Sequence, residues 1–209
     1  FTGFGTAPVK GEGAAVSYDD AQESYTARYT HETVALAFAV TEEAMEDNLY
    51  DTFAKLRARG LARAMANTKQ VKAADVFNNG FSASYVGGDG VAMFSASHPT
   101  IGAGNQSNLL TGDLSEASLE SALISISKAK DDRGILIGLQ AKSLHIPSDL
   151  AFTADQILNS TMSTTIGVNP TTAANGATNT NNINAIRSQG LVPGGFFVNR
   201  RFTDTDAWF

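Results

Sequence analysis

Residues 41–79, TEEAMEDNLYDTFAKLRARGLARAMANTKQVKAADVFNN, place Leu49, Phe53, Leu56, Ala64, Val71 and Phe77 at roughly helical spacing, with lysines and arginines between them. The pattern predicts one long amphipathic helix, or a short helix running into a long one. Thr41 suits the cap of a first turn rich in Glu42 and Glu43, and Asn48 offers a second cap before Leu49. Asn78, Asn79 and Gly80 tolerate the left-handed backbone that ends helices. Gly60 inside the pattern costs about 1 kcal/mol relative to alanine, which points to close packing or a bend. About 30 residues at about 1.5 Å each make a rod of about 45 Å. That is long beside the radius of gyration of about 13 Å of a compact 100-residue domain. Such a rod is a spine from which other elements hang.

Toward the N-terminus the period changes to two. Tyr25, Ala27 and Tyr29 alternate with polar residues, and Val34, Leu36, Phe38 and Val40 continue the alternation. With Ala14–Tyr18 pairing back across Asp19-Asp20, residues 14–40 are expected to form a long antiparallel hairpin. A two-stranded ribbon is marginal alone and needs a partner surface. Residues 1–13 are glycine-rich with scattered apolar residues, an arm that packs on something else.

Toward the C-terminus, Ser82–Phe94 is expected to be a second hairpin around the turn Gly87-Gly88-Asp89-Gly90. A helix follows at 115–130, capped by Ser115 and striped with Leu119, Ala122, Leu123, Ile126 and Ala129. Strands are expected at Ile135–Leu139 and Ala141–Ile146. Pro147-Ser148 opens a third helix carrying Leu150, Ala151, Ala154, Ile157 and Leu158 on one side. Residues 156–186 lack any charged side chain and hold seven Asn and seven Thr, the composition of a long loop. Strand character returns over 191–209. The order of elements predicts an α+β chain.

The chain has 209 residues, 43% of them hydrophobic, and no apolar run near the roughly 20 residues of a membrane span. A soluble chain without membrane contact is expected. It has no cysteine, which removes disulfides, thiolate metal sites and cysteine nucleophiles. Phe1 at the start and Asp206-Ala207-Trp208-Phe209 at the end read as an internal or processed part of a longer product. A net charge of −6 argues against a dedicated nucleic-acid binder. Residues 1–50 carry nine acids against Lys10 and Arg28, whereas residues 51–80 carry six bases against Asp51 and Asp75. Either these are two solvated faces of opposite sign, or the acidic segment of one copy meets the basic helix of another.

Chemistry is hard to place. His31, His98 and His145 are far apart and lack ligand-spaced neighbours. His98 beside Ser97 has no triad logic from adjacency alone, and a turn-forming polar cluster is expected there. His145 alternates with Leu144 and Ile146 on the polar side of a strand. Gly87–Gly90 and Gly102-Ala103-Gly104 lack the strand–loop–helix context and the Lys-Ser/Thr of a phosphate loop. Asp19-Asp20 and Asp131-Asp132 lack the alternating oxygens of a calcium loop. No catalytic, cofactor or metal residues are assigned, and the elements read as a building block for assembly.

Several stretches resemble the HK97-type major capsid proteins of tailed phages, in particular Mu-like major head subunits. They are Tyr29–Phe38 (YTHETVALAF), Glu46–Tyr50 (EDNLY), Ala73–Phe81 (AADVFNNGF), Gly88–Pro99 (GDGVAMFSASHP) with Gly104-Asn105 and Ser107-Asn108, Leu144–Ser160 (LHIPSDLAFTADQILNS) and Asp204–Phe209 (DTDAWF). The resemblance spans most of 20–209. It implies an N-terminal arm segment (1–13) and an extended loop at 14–40 that reaches over a neighbouring subunit. It further implies a peripheral domain with the spine helix and second hairpin (41–111), an axial domain (112–190) and return strands to the peripheral domain (191–209). The uncharged 161–184 segment would lie near a capsomer axis or on the exposed shell. Copies would assemble into pentamers and hexamers of an icosahedral shell that encloses double-stranded DNA without reading it. Portal, scaffolding and decoration proteins are the implied partners, the virion the implied location, and the host bacterial cytoplasm the site of assembly. The expected intersubunit contacts are Tyr29, Val34, Leu36 and Phe38 from the loop, with Glu42 and Glu43 facing Lys55, Arg57, Arg59 and Arg63. An encapsulin-like compartment would need a cargo groove. A hydrolase using Ser97 or His98 would lose activity but keep assembly on His98→Ala. An adhesin or tail component would form fibres or stay monomeric.

Overall fold

The computed structural model describes residues 2–47, 50–162 and 183–209, with the backbone alone at 50–53. The Asn48 cap, the stripe positions Leu49 and Phe53, and most of the uncharged 161–184 segment lie outside the described residues.

The spine is present in its two-part form. A short helix α1 (Glu42–Glu46) precedes α2 (Tyr50–Asn78), whose 29 residues make a rod of about 43 Å. Thr41 has the extended backbone of a cap, but its side chain makes no cap hydrogen bond. Gly60 lies within α2, and no atom comes within 4 Å of the position a Cβ would take, so close packing is not its reason. No residue from Lys55 to Ala73 is buried, and Leu56 is 66% exposed. The apolar stripe that predicts the helix therefore has little to pack on within the chain. Only its last turns are anchored. Ala74 is buried, and Phe77 touches the rings of Phe94, His145, Phe202 and Phe209. Asn78 donates to Arg201 O (3.0 Å) and accepts from Thr203 N–H (3.1 Å), while Asn67, three turns earlier, accepts from the Arg201 guanidinium (2.7 Å). The helix ends at Asn78 as expected, but Gly80 is not left-handed, and its missing side chain serves packing instead. A Cβ there would lie 2.5 Å from the Phe94 ring.

The compact part of the chain lies beyond residue 110. Helix α3 (Glu116–Ser127) starts as expected at Ser115, whose hydroxyl accepts from Ser118 N–H while the Ser118 hydroxyl accepts from Ser115 N–H. Strand β1 (Leu144–Ile146) leads through a 3₁₀ turn (Ser148–Leu150) into α4 (Ala151–Asn159). A short helix α5 (Ala185–Ser188) precedes strand β2 (Phe196–Val198), which pairs parallel with β1 in the register Leu144–Phe196, His145–Phe197, Ile146–Val198. A parallel pair needs a crossover of a dozen or more residues, which α4 and α5 supply. Leu114, Leu119, Leu144, Ile146, Ala154, Ile157, Leu158 and Ile186 form the core, lined by Trp208 among others. Mixed helices and a small sheet agree with an α+β chain. The β1–β2 pair crosses the expected boundary at residue 190.

Several expected strands are not formed. Residues 14–40 contain neither strand nor helix, so the long hairpin is corrected to an open arm. The second hairpin reduces to one bridge, Val86–Ala92, around the expected turn, in which Gly90 has φ +79°. Ile135–Leu139 reduces to the bridge Lys130–Leu136, and Ala141–Ile146 to the last three residues. In residues 14–40 apolar alternation is present without a second strand among the described residues to complete the ladder, whereas the last three residues of the 141–146 stretch are completed by β2. The C-terminal residue does find one partner, since Phe209 and His145 exchange both backbone hydrogen bonds (2.6 and 2.9 Å).

Asn184 closes the stem of the uncharged segment. Its buried side chain donates to Ile157 O (2.6 Å) and accepts from Arg187 N–H (3.1 Å) as the cap of α5, and Met162 bridges Ile183. Asn184→Ala is expected to lose about 1–3 kcal/mol, since it removes the cap and strands a buried carbonyl. Gly80→Ala is expected to lose a similar amount by overpacking against Phe94. Urea unfolding of the two variants checks both, and midpoints equal to the parent's would contradict them.

Candidate assembly surface

The arm is built from residues that favour extension, yet no residue from Gly3 to Val40 is buried. Tyr29 is 89% exposed, Leu36 57% and Phe38 40%, with Val34 similar to Phe38. These are the apolar positions expected to touch a neighbour, and they lie open together along one segment. The chain exposes 15,636 Å², against about 9,300 Å² for a compact monomer of its 22.0 kDa. The excess is more than the 23 undescribed residues could contribute even if fully extended. Burying one side chain the size of Val, Leu or Phe is worth about 1.5–3 kcal/mol, so this surface is a large unused driving force.

Polar tethers hold the arm to its own chain at a few points. Arg133 pairs with Asp19 (2.5 Å), and Asp19 also accepts from Gly5 N–H (2.7 Å). Ser24 donates to Asp132 (3.4 Å), Tyr25 Oη donates to Pro99 O (3.1 Å), and Glu32 pairs with Lys72 on α2 (2.8 Å). Gly88 brings the turn against the arm so closely that a Cβ would sit 3.0 Å from the Thr26 backbone. These tethers were not legible from spacing, because each joins residues far apart in sequence.

The charged candidates divide. Arg57 donates to Ala39 O (3.2 Å), back onto its own chain. Lys55, Arg59 and Arg63 are exposed on α2, and Glu42 and Glu43 are exposed on α1. Glu32 with Lys72, which joins the acidic segment to the basic helix, is an acid–base contact within one chain and was not among those expected. The Arg133 hydrogen bond, then the Gly5 N–H, hold Asp19 below the usual carboxylate range. Lys72 does the same to Glu32, and each base is raised in turn by its acid.

Around His98 the expected polar cluster is present. Asp89, Asn108 and the backbone of Gln106 hold it, while Ser97 Oγ accepts from Asn105 (2.6 Å). Ser97 is thus turned to an amide rather than to the imidazole. His145 lies between the Phe77 and Phe197 rings and bonds Ser143 (3.2 Å). Among the described residues no cluster of three or more His, Asp or Glu could hold a metal, and no helix is long and apolar enough to cross a membrane.

A carboxylate held low contributes attachment that is present above its ordinary pKa and lost as the pH falls through the lowered one. An NMR titration of the Gly5 amide, which reports on Asp19, is therefore expected to show a midpoint below about 3.9. Arg133→Ala should raise that midpoint. A parent midpoint at or above about 3.9 would contradict the tether.

Comparison with known proteins adds one match. A family model described as "Phage capsid protein" matches residues 24–209. Neither the curated proteins nor the solved structures contain a match.

Proposed function

The chain belongs to the phage capsid protein family, and from that premise we propose that it is a major head subunit of the HK97 type, close to the Mu-like subunits. Membership itself implies a structural subunit that associates with its own kind in the virion. An enzymatic role is not part of this reading. Residues 14–40 serve as the extended loop laid over a neighbouring copy, residues 41–111 as the peripheral domain, residues 112–190 as the axial domain and residues 191–209 as the return to the peripheral domain. Residues 1–13 extend the arm. Pentamers and hexamers close an icosahedral shell around double-stranded DNA, assembled in the host cytoplasm with portal, scaffolding and decoration proteins as partners.

The observation that carries this reading is the pairing of two unsupported elements in one chain. An arm with open apolar residues at period two lies beside a 29-residue helix that has no buried residue from Lys55 to Ala73. Both become stable when a neighbour covers them. Tyr29, Val34, Leu36 and Phe38 supply the apolar contact. Glu42 and Glu43 of one copy facing Lys55, Arg57, Arg59 and Arg63 of the next set the register, which makes assembly weaken as salt screens the charges. Each contact is weak, and many together hold the shell. A chain of net charge −6 confines DNA rather than binding it tightly.

Electron microscopy of the gene product expressed with its neighbouring genes tests this. Closed shells of uniform diameter, or five- and six-membered rings, are expected. Fibres, or a persistent monomer at low and high salt, would overturn the reading, and shells filled with enzyme instead of DNA would redirect it to a cellular compartment. Phe38→Asp is expected to abolish shells while leaving the helical circular dichroism of the single chain intact. Loss of that dichroism would show that Phe38 supports its own chain instead.

A further inference from the structure

His98 sits between two oxygens that can only accept. Its Nδ1 lies 2.6 Å from Asp89 Oδ2, and its Nε2 lies 3.0 Å from Asn108 Oδ1. An Asn side chain can often be turned over to offer its amide instead, but Asn108 cannot. Its Nδ2 donates to Met93 O (2.8 Å), and its Oδ1 already accepts from Ser95 N–H (2.8 Å). Turning it would face N–H against N–H at Ser95 and oxygen against oxygen at Met93. A neutral imidazole has one N–H, so it would leave one of its two contacts as lone pair against lone pair. Only the imidazolium donates at both. The side chains of His98 and Asp89 are 23% and 18% exposed, so water replaces a lost contact poorly.

This pair fastens the root of the arm. Asp89 belongs to the turn on which Thr26 and Ala27 rest at Gly88, and His98 precedes Pro99, whose carbonyl receives the Tyr25 hydroxyl. The backbone of His98 exchanges two further hydrogen bonds with Gln106 (2.7 and 2.9 Å), so the ring is carried on a braced loop. The remaining titratable groups around the recess are Lys130 and Asp132 from the 129–133 segment and Tyr25 from the arm.

We propose that His98, as an imidazolium donating to both Asp89 and Asn108, is a charge-dependent clamp on the seat of residues 24–27, and that this part of the arm loosens when the ring loses its proton. Deprotonation removes one of the two donated hydrogen bonds and the charge facing Asp89, so the turn loosens against the 95–108 loop and the seat under Thr26 and Tyr25 weakens. The direction is fixed. Attachment holds on the acid side of the His98 titration and weakens as pH rises through it. The consequence for assembly, an arm held home or released toward a neighbour, rests on the capsid reading. The clamp itself is a property of the single chain.

Because the chain lacks cysteine, Tyr29→Cys gives one attachment point for a nitroxide on the unassembled protein. Two quantities are followed against pH by NMR: the ¹⁵N shifts of the His98 ring, and the paramagnetic broadening of the Gly88 and Gly90 amides. Both ring nitrogens are expected to be protonated on the acid side. The broadening is expected to fall about threefold or more with the same midpoint at which the ring loses a proton. His98→Gln should abolish that transition, and the exposed His31→Gln should leave it unchanged. A ring in a single neutral tautomer throughout, or broadening that is constant across the His98 titration, would overturn the proposal. The parent titration decides this even where His98→Gln fails to fold.

Discussion

Phe77, in the last turn of α2, meets four other rings, those of Phe94, His145, Phe202 and Phe209, and this contact joins the helix to everything else. Phe81 extends the cluster toward Phe94 and Phe209, and His145 extends it to Phe197 on β2. Ring pairs at 5–6 Å add about 0.5–1.5 kcal/mol each beyond the area they bury. The arrangement is therefore stiff where the rod meets the core. From Lys55 to Ala73 the rod has no buried residue and is tied to the chain by polar contacts, among them those of Arg57, Asn67 and Lys72. A helix in water gains most of its stability from packing an apolar face rather than from propensity, and in the proposed reading a neighbouring copy supplies that packing.

The same imbalance runs through the arm. Its tethers are ion pairs and single hydrogen bonds at exposed sites, which contribute little each. Its apolar residues, by contrast, lie open. Weak polar attachment and unused apolar surface together describe an element stored in one place and usable in another. The compact part beyond residue 110 has the opposite character, with eight buried apolar residues in one core and a buried, hydrogen-bonded Asn184. Membership of the phage capsid protein family gives this division a purpose. In the proposed reading a rigid unit sets the shape of the subunit and its extended parts make the contacts between subunits.

What the sequence made legible follows from how local each signal is. The spine, the Ser115 cap, the Gly87–Gly90 turn and the helix after Pro147 are written in residues within a few positions of one another. The strands were over-read for a physical reason. Period-two alternation marks a surface that is half buried by something, and it does not say whether the covering surface is in the same chain. In residues 25–40 no strand among the described residues provides it, and 135–139 finds only the short stretch 129–131. The long-range fastenings, Arg133 to Asp19, Asn78 to the 201–203 turn and Trp208 to Gly112 O, have no local pattern at all. The candidate assembly residues were found by alternation and charge, whereas Glu32 with Lys72 and His98 with Asp89 became visible only once the chain was folded.

Hydrogen–deuterium exchange on the single chain and on assembled particles addresses the central claim most directly. If the arm and the spine are stabilised by neighbouring copies, residues 14–40 and 54–73 should exchange rapidly in the single chain and slow by at least about tenfold in particles. The segments around β1, α4 and β2 should be equally protected in both. Equal exchange of the arm and spine in the two states would mean that these surfaces remain open after assembly, and would contradict the claim.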